Sequence, residues 1–221
     1  MYLVRYAGVR RRMQWATALL AMLLAMQAMA GPIAKPTDPA HPTVLVFGDS
    51  LSAGYGMAAS QGWVTLLEKR LQARQPRWDV VNASISGETT AGGVARIDPT
   101  LARSKPTVVV IELGANDGLR GLPLAQTREH LAAMVAASRQ AGATVLLVGM
   151  RMPPNLGRAY TEGFEENYRL VAKADGVTLL PFLLEPVAGD RANFQDDNLH
   201  PTAAAQPKLL EHVWKALAPL L

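Results

Sequence analysis

A chain of 221 residues with no cysteine has the length for one α/β domain with a full core, and it excludes disulfides, cysteine-held zinc, a thiol nucleophile and a lipidated cysteine anchor. Its formal charge of +4 comes from Arg5, Arg10, Arg11 and Arg12. Setting these four aside reduces the 22 basic residues to 18, against 18 acidic ones, so the rest of the chain is neutral and gives no case for binding nucleic acid.

Those arginines precede an apolar run from Trp15 to Met26, and Ala28-Met29-Ala30 offers the small-x-small pattern at which signal peptidase cuts. About a dozen apolar residues fall short of the roughly 20 that a permanent membrane helix needs. Residues 1–30 therefore read as a cleaved secretory signal in preference to a retained anchor, and Arg11-Arg12 leaves twin-arginine export open. Residues 31–42 carry Pro32, Pro36, Pro39 and Pro42 and read as an extended tether, with the domain expected over 43–221. Export without disulfides fits a periplasm, with secretion as the alternative.

From Thr43 onward, apolar β-branched runs alternate with stretches of helical period. Strands are expected at 43–48, 78–83, 107–113, 143–149 and 177–180, and helices at 62–75, 90–103, 124–141, 161–174 and 202–220. The strands are apolar almost throughout, as strands covered on both faces are, so the alternation predicts a parallel sheet with helices on both sides. Pro207 is expected to kink the last helix or to mark its true start. Ligands of such a sheet bind beyond the carboxyl ends of its strands, so the loops there hold the chemistry.

The first of these loops is Gly48-Asp49-Ser50-Leu51-Ser52-Ala53-Gly54-Tyr55-Gly56. Glycine at the strand end permits a tight turn, and Ser50 can present its hydroxyl at the sheet edge, given a base to activate it. The glycine spacing matches neither the dinucleotide nor the P-loop fingerprint. Among four histidines, His41 lies in the tether and His130 and His212 lie in amphipathic helices, whereas His200 stands in the polar segment Asp196-Asp197-Asn198-Leu199-His200-Pro201. Pro201 holds His200 extended, and Asp197, three residues earlier, can fold back onto the imidazole Nδ1, with Asp196 as the competing carboxylate. Donors for a developing oxyanion are available at Gly87, in Asn82-Ala83-Ser84-Ile85-Ser86-Gly87-Glu88-Thr89, and at Asn116, in Gly114-Ala115-Asn116-Asp117. Asp117 has no second carboxylate or histidine at ligand spacing, which favours a structural role over metal binding.

The four segments in this order resemble the blocks of the SGNH, or GDSL-type, hydrolases, over roughly residues 43–210. The resemblance implies a flavodoxin-like, doubly wound three-layer α/β/α fold with a five-stranded parallel sheet. It implies a triad of Ser50, Asp197 and His200, and an oxyanion hole from Gly87 N–H, the Asn116 amide and Ser50 N–H. Within the family the chain is similar to the periplasmic branch of acyl-CoA thioesterases, lysophospholipases and arylesterases. The segment Met152-Pro153-Pro154-Asn155-Leu156-Gly157 resembles that branch's substrate loop. The implied reaction is cleavage of an acyl ester or thioester through an acyl-enzyme on Ser50, with no metal or organic cofactor. The partner expected is a small-molecule or lipid acyl substrate, and a monomer is favoured over an assembly. Two other readings use the same residues: an O-acetyl esterase acting on a cell-envelope glycan, and a non-enzymatic flavodoxin-like binding module.

Overall fold

A computed structural model describes residues 41–221; the signal segment and all but the last two residues of the tether lie outside the described residues. Five strands form one parallel sheet: β1 (Thr43–Gly48), β2 (Asp79–Asn82), β3 (Val108–Glu112), β4 (Thr144–Val148) and β5 (Thr178–Leu180), in the order β2-β1-β3-β4-β5. This is the doubly wound order, with the chain reversing direction across the sheet between β1 and β3. Among the described residues the α-helices are α1 (Ser50–Ala53), α2 (Trp63–Gln72), α3 (Thr90–Ser104), α4 (Ala115–Leu119), α5 (Leu124–Gln140), α6 (Arg158–Asp175) and α7 (Gln206–Leu217). Helices α2 and α7 pack together, as do α3 with α5 and α5 with α6, giving the expected three layers. Among the described residues no helix is long and apolar enough to cross a membrane.

The inner strands owe their burial to their composition. Val44, Leu45, Val46 and Phe47 of β1 and Val108 to Ile111 of β3 have no exposed surface, because helices cover both faces. The edge strand β2 is only half-buried. Each helix turns its apolar stripe inward: Leu67 and Leu71 from α2, Leu131 and Met134 from α5, Phe164 and Tyr168 from α6, and Leu209 and Val213 from α7.

Element ends depart from the sequence expectation for local reasons. Helix α2 stops at Gln72, ahead of Pro76, which disfavours helical backbone in the residue before it. Helix α6 begins three residues early, at Arg158, because Gly157 at φ 87° ends the preceding 3-10 turn and lets the helix start at once. Pro207 marks the start of α7 and causes no kink: it occupies the first helical turn, where its missing N–H costs nothing, and residues 203–205 form a separate 3-10 turn. Helices α1 and α4 are absent from the sequence expectation, being too short for any periodic signal.

Candidate active site

The site lies beyond the carboxyl ends of β1, β2 and β3, where three loops converge with the segment before α7. Strand β1 ends at Gly48, and the chain turns at once into α1. Asp49 caps α1 through its Oδ1, which accepts from Leu51 N–H at 3.0 Å, and this places Ser50 at the first helical position. The requirement for glycine at 48 is set by the neighbouring strand: Gly48 is in register with Glu112 of β3, and a Cβ there would come within 2.8 Å of Glu112 Oε2. That vacant space lets the Glu112 carboxyl lie beneath the turn, where Oε2 accepts from Ser52 Oγ at 2.6 Å and from Asp49 N–H at 3.4 Å.

On the opposite side, Ser50 Oγ lies 2.8 Å from His200 Nε2, and His200 Nδ1 lies 2.6 Å from Asp197 Oδ2. Asp197 is thus the carboxylate on the imidazole, and Asp196 is not. Its Oδ1 also accepts from the backbone N–H groups of Leu199 and His200, at 2.9 and 3.0 Å. These bonds fold the segment back on itself, and Asn198 takes a left-handed φ of 59° to complete the turn. The His200 backbone and side-chain bonds, with the Leu199 N–H, hold the Asp197 carboxyl down at about 2. An ionised Asp197 accepts only, so Nδ1 carries the ring proton and Nε2 is left to accept from the Ser50 hydroxyl.

Ser50 N–H and Gly87 N–H donate to no acceptor among the described residues. Gly87 has a left-handed φ of 80° and open space where a Cβ would stand. The loop that carries it is braced by Arg96, which donates to Glu88 Oε2 at 2.6 Å and to Ala83 O at 2.7 Å, its guanidinium 3.9 Å over the Phe47 ring. Asn116 reaches the same region from the start of α4. Its Nδ2 lies 3.0 Å from Glu88 O and 3.2 Å from Asp49 Oδ2, so both amide protons have acceptors.

Asp117 has a structural task. Its carboxylate accepts from Thr90 N–H at 2.8 Å and Thr90 Oγ1 at 2.5 Å, joining α4 to the start of α3, and His130 Nδ1 lies 3.0 Å from the same hydroxyl. In the segment after β4, Met152 is buried and its thioether fills the space that a side chain at Gly118 would need. Pro153 and Asn155 stand exposed, Pro154 to Leu156 form a 3-10 turn, and Leu156 is half-buried against the core.

The buried acids give the site unusual electrostatics. Burial pushes the Asp49 carboxyl up to about 6, partly offset by the Leu51 N–H, the charge of His200 and the Asn116 amide. Burial raises Glu112 well above the ordinary glutamate value, and the adjacent Asp49 raises it further. Glu112, like Arg96, is a supporting residue that the sequence expectation does not contain. Its signal is present, as a lone acid ending an otherwise apolar strand. Gln195 is another: its Nε2 donates to Tyr55 O at 2.9 Å, tying the His200 segment to the Ser50 loop, and to Pro201 O at 3.2 Å. The Tyr55 ring then lies against the His200 imidazole, with centroids 4.4 Å apart.

The chain resembles known proteins over this whole domain. It is 53% identical to "Esterase TesA" of Pseudomonas aeruginosa, over 81% of this chain and 89% of that protein. It is 44% identical to "Thioesterase 1/protease 1/lysophospholipase L1" of Escherichia coli K12, over 81% of this chain and 85% of that protein. Among solved structures, the psychrotrophic esterase EstA from Pseudoalteromonas sp., inhibited by monoethylphosphonate, superimposes with a TM-score of 0.77 at 38% identity, covering 80% of this chain and 97% of that one. The GDSL-like lipase/acylhydrolase family matches residues 46–206, from within β1 to the first residue of α7, which takes in every loop of the site. The chain belongs to the GDSL-like lipase/acylhydrolase family.

Proposed function

We propose that this enzyme is an exported, periplasmic acylhydrolase that cleaves carboxylic acyl esters or thioesters through an acyl-enzyme on Ser50. The observation that carries this reading is the 2.8 Å approach of Ser50 Oγ to His200 Nε2, with Asp197 Oδ2 2.6 Å from the other ring nitrogen. Ser50 Oγ attacks the acyl carbonyl as its proton passes to Nε2, and the imidazolium is balanced by the ionised Asp197. Negative charge on the carbonyl oxygen is received by Ser50 N–H and Gly87 N–H, with Asn116 as third donor once its longer bond, 3.2 Å to Asp49, is shared. Nε2 then returns the proton to the departing alkoxide or thiolate. Water repeats the sequence on the acyl-enzyme and releases the acid.

The names of the relatives, an esterase and a thioesterase/lysophospholipase, support acyl rather than phosphoryl substrates. Apolar side chains around the site favour an acyl or aryl group over a sugar: Tyr55, Ile85, Leu119 and Leu199 are each between 41% and 51% exposed. The segment Met152 to Gly157 would bound the acyl side, reaching α4 through Met152. Export rests on the arginine-led apolar leader of residues 1–30.

A fluorophosphonate probe, with p-nitrophenyl esters, acyl-CoAs and lysophospholipids as substrates, tests the proposal. Wild type is expected to label and turn over, and Ser50→Ala to lose labelling and at least about 10⁴-fold in kcat with unchanged urea unfolding. Residual turnover by Ser50→Ala within tenfold of wild type would remove Ser50 from the chemistry.

A further inference from the structure

Arg120 is the last residue of the turn that carries Asn116, with its backbone N–H on Asn116 O. Its exposed guanidinium crosses to the other oxyanion loop, and one Nη2 donates to Gly87 O at 3.2 Å. The acids close to it in sequence or space are occupied. Asp117 is buried and held by both Thr90 donors, and Glu88 is paired with Arg96. Arg120 forms no ion pair among the described residues, although it stands one hydrogen bond from a residue whose N–H faces the reacting carbonyl. A guanidinium presents five donors, and its single bond to Gly87 O leaves most of them available.

The position has a scale. The N and O of one residue are roughly 3 to 3.6 Å apart by covalent geometry. Adding the 3.2 Å bond puts the Arg120 nitrogen within about 7 Å of Gly87 N. The oxyanion itself forms about 3 Å from that N–H. Leu119, next in the chain, is 41% exposed, so cationic and apolar surface adjoin at the mouth of the site.

We propose that Arg120 is a specificity-determining residue that receives an anionic phosphate of the leaving group, selecting esters whose phosphate lies six bonds from the scissile carbonyl. A 1-acyl glycerophosphate ester meets that requirement: carbonyl carbon and phosphorus are separated by six bonds, roughly 7 Å when extended. The nearest phosphate of an acyl-CoA is more than a dozen bonds away and overshoots the guanidinium. The Arg120 subsite therefore distinguishes two sources of the same anionic group. This inference rests on the acyl-enzyme at Ser50 and goes beyond it in assigning a leaving-group subsite.

The test compares three substrates of equal chain length below their micellar concentrations: 1-lauroyl lysophosphatidylglycerol, 1-lauroylglycerol and lauroyl-CoA. In Arg120→Gln the ratio of kcat/KM for the lysophospholipid to that for the neutral glyceride is expected to fall about tenfold, mainly through KM, as for loss of one exposed charge-assisted contact. Arg120→Lys, which keeps a point charge without the planar fork, should recover part of that ratio. Raising ionic strength should shrink the wild-type ratio and leave that of Arg120→Gln nearly flat. The ratio of lauroyl-CoA to glyceride should stay the same in both variants. An unchanged lysophospholipid ratio, whatever happens to the absolute rates, would overturn the subsite, since a role confined to supporting Gly87 slows all three substrates alike. Failure of Ser50→Ala to abolish turnover would defeat the acyl-enzyme instead, so the two outcomes remain distinguishable.

Discussion

Replacing Glu112 with Gln isolates the effect of one buried proton. Glu112 has no exposed surface, its Oε2 accepts from Ser52 and from Asp49 N–H, and its Oε1 is buried without a partner among the described residues. A charged oxygen without a donor costs far more in that setting than a neutral carboxyl, so the folded protein keeps Glu112 protonated. This agrees with its upward shift, caused first by burial and then by Asp49. The unfolded chain releases the same proton near the ordinary value of 4.5. Above that pH the unfolded state binds fewer protons than the native one, and stability falls as pH rises. One retained proton gives a slope of about 1.4 kcal/mol per pH unit for as long as Glu112 stays protonated. Asp49, raised to about 6, adds a loss of the same sign between about 3.8 and 6, but both proteins carry it and it cancels in the comparison. The amide of Gln keeps the shape and both accepted bonds and cannot ionise. The stability difference between Glu112→Gln and wild type should therefore move in the variant's favour with that slope. Urea unfolding at half-unit pH steps, followed by tryptophan fluorescence, measures it. A difference that stays constant from about pH 5 to 7 would show an ionised Glu112 and refute the reasoning.

Asn116→Ala removes the donor to Asp49 Oδ2 that is proposed to serve the oxyanion as well, so kcat should fall about 10²–10³-fold with little change in KM. The same substitution takes away one of the contacts that lower the Asp49 carboxyl, so Asp49 should titrate above its present value of about 6, measurable by carboxyl NMR. Gln195→Ala cuts the side-chain tie from the His200 segment to Tyr55 O of the Ser50 loop, and with it the bond to Pro201 O that braces the segment itself. Misplacement of the base by a fraction of an ångström should lower kcat about tenfold or more with KM nearly constant, and Gln195→Glu should not restore it because a carboxylate cannot donate to the two carbonyls. Stopped-flow acylation with a p-nitrophenyl ester would show whether the loss lies in the chemical step.

The sheet was legible because its inner strands are apolar on both faces, a pattern that solvent-exposed segments do not carry. The helices α2, α3, α5, α6 and α7 were legible from their period. Ends were less so, since Gly157 and the 3-10 turn at 203–205 act through backbone angles that composition does not report. At the site, Ser50, Asp197 and His200 stand in segments whose glycine, proline and acid spacing has a local physical meaning, and the structure brings their polar atoms together. Asn116 was found as a donor, but its acceptors were not, because Asp49 and Glu88 reach it from other loops. Gln195 had no signal at all: its function arises from the approach of two segments 140 positions apart. Glu112 had a signal of the opposite kind, an acid in an apolar run, and its meaning depends on the missing side chain of Gly48 across the strand pair.

The Ser50 hydroxyl and the His200 imidazole beside it are separated by 150 positions, and the segment bearing the imidazole is continuous with α7, whose Gln206 side chain accepts from Trp63 N–H at 2.9 Å. Biosynthesis runs from the one to the other, so reactivity is acquired last. The pairing of hydroxyl and imidazole therefore depends on the C-terminal helix keeping its place.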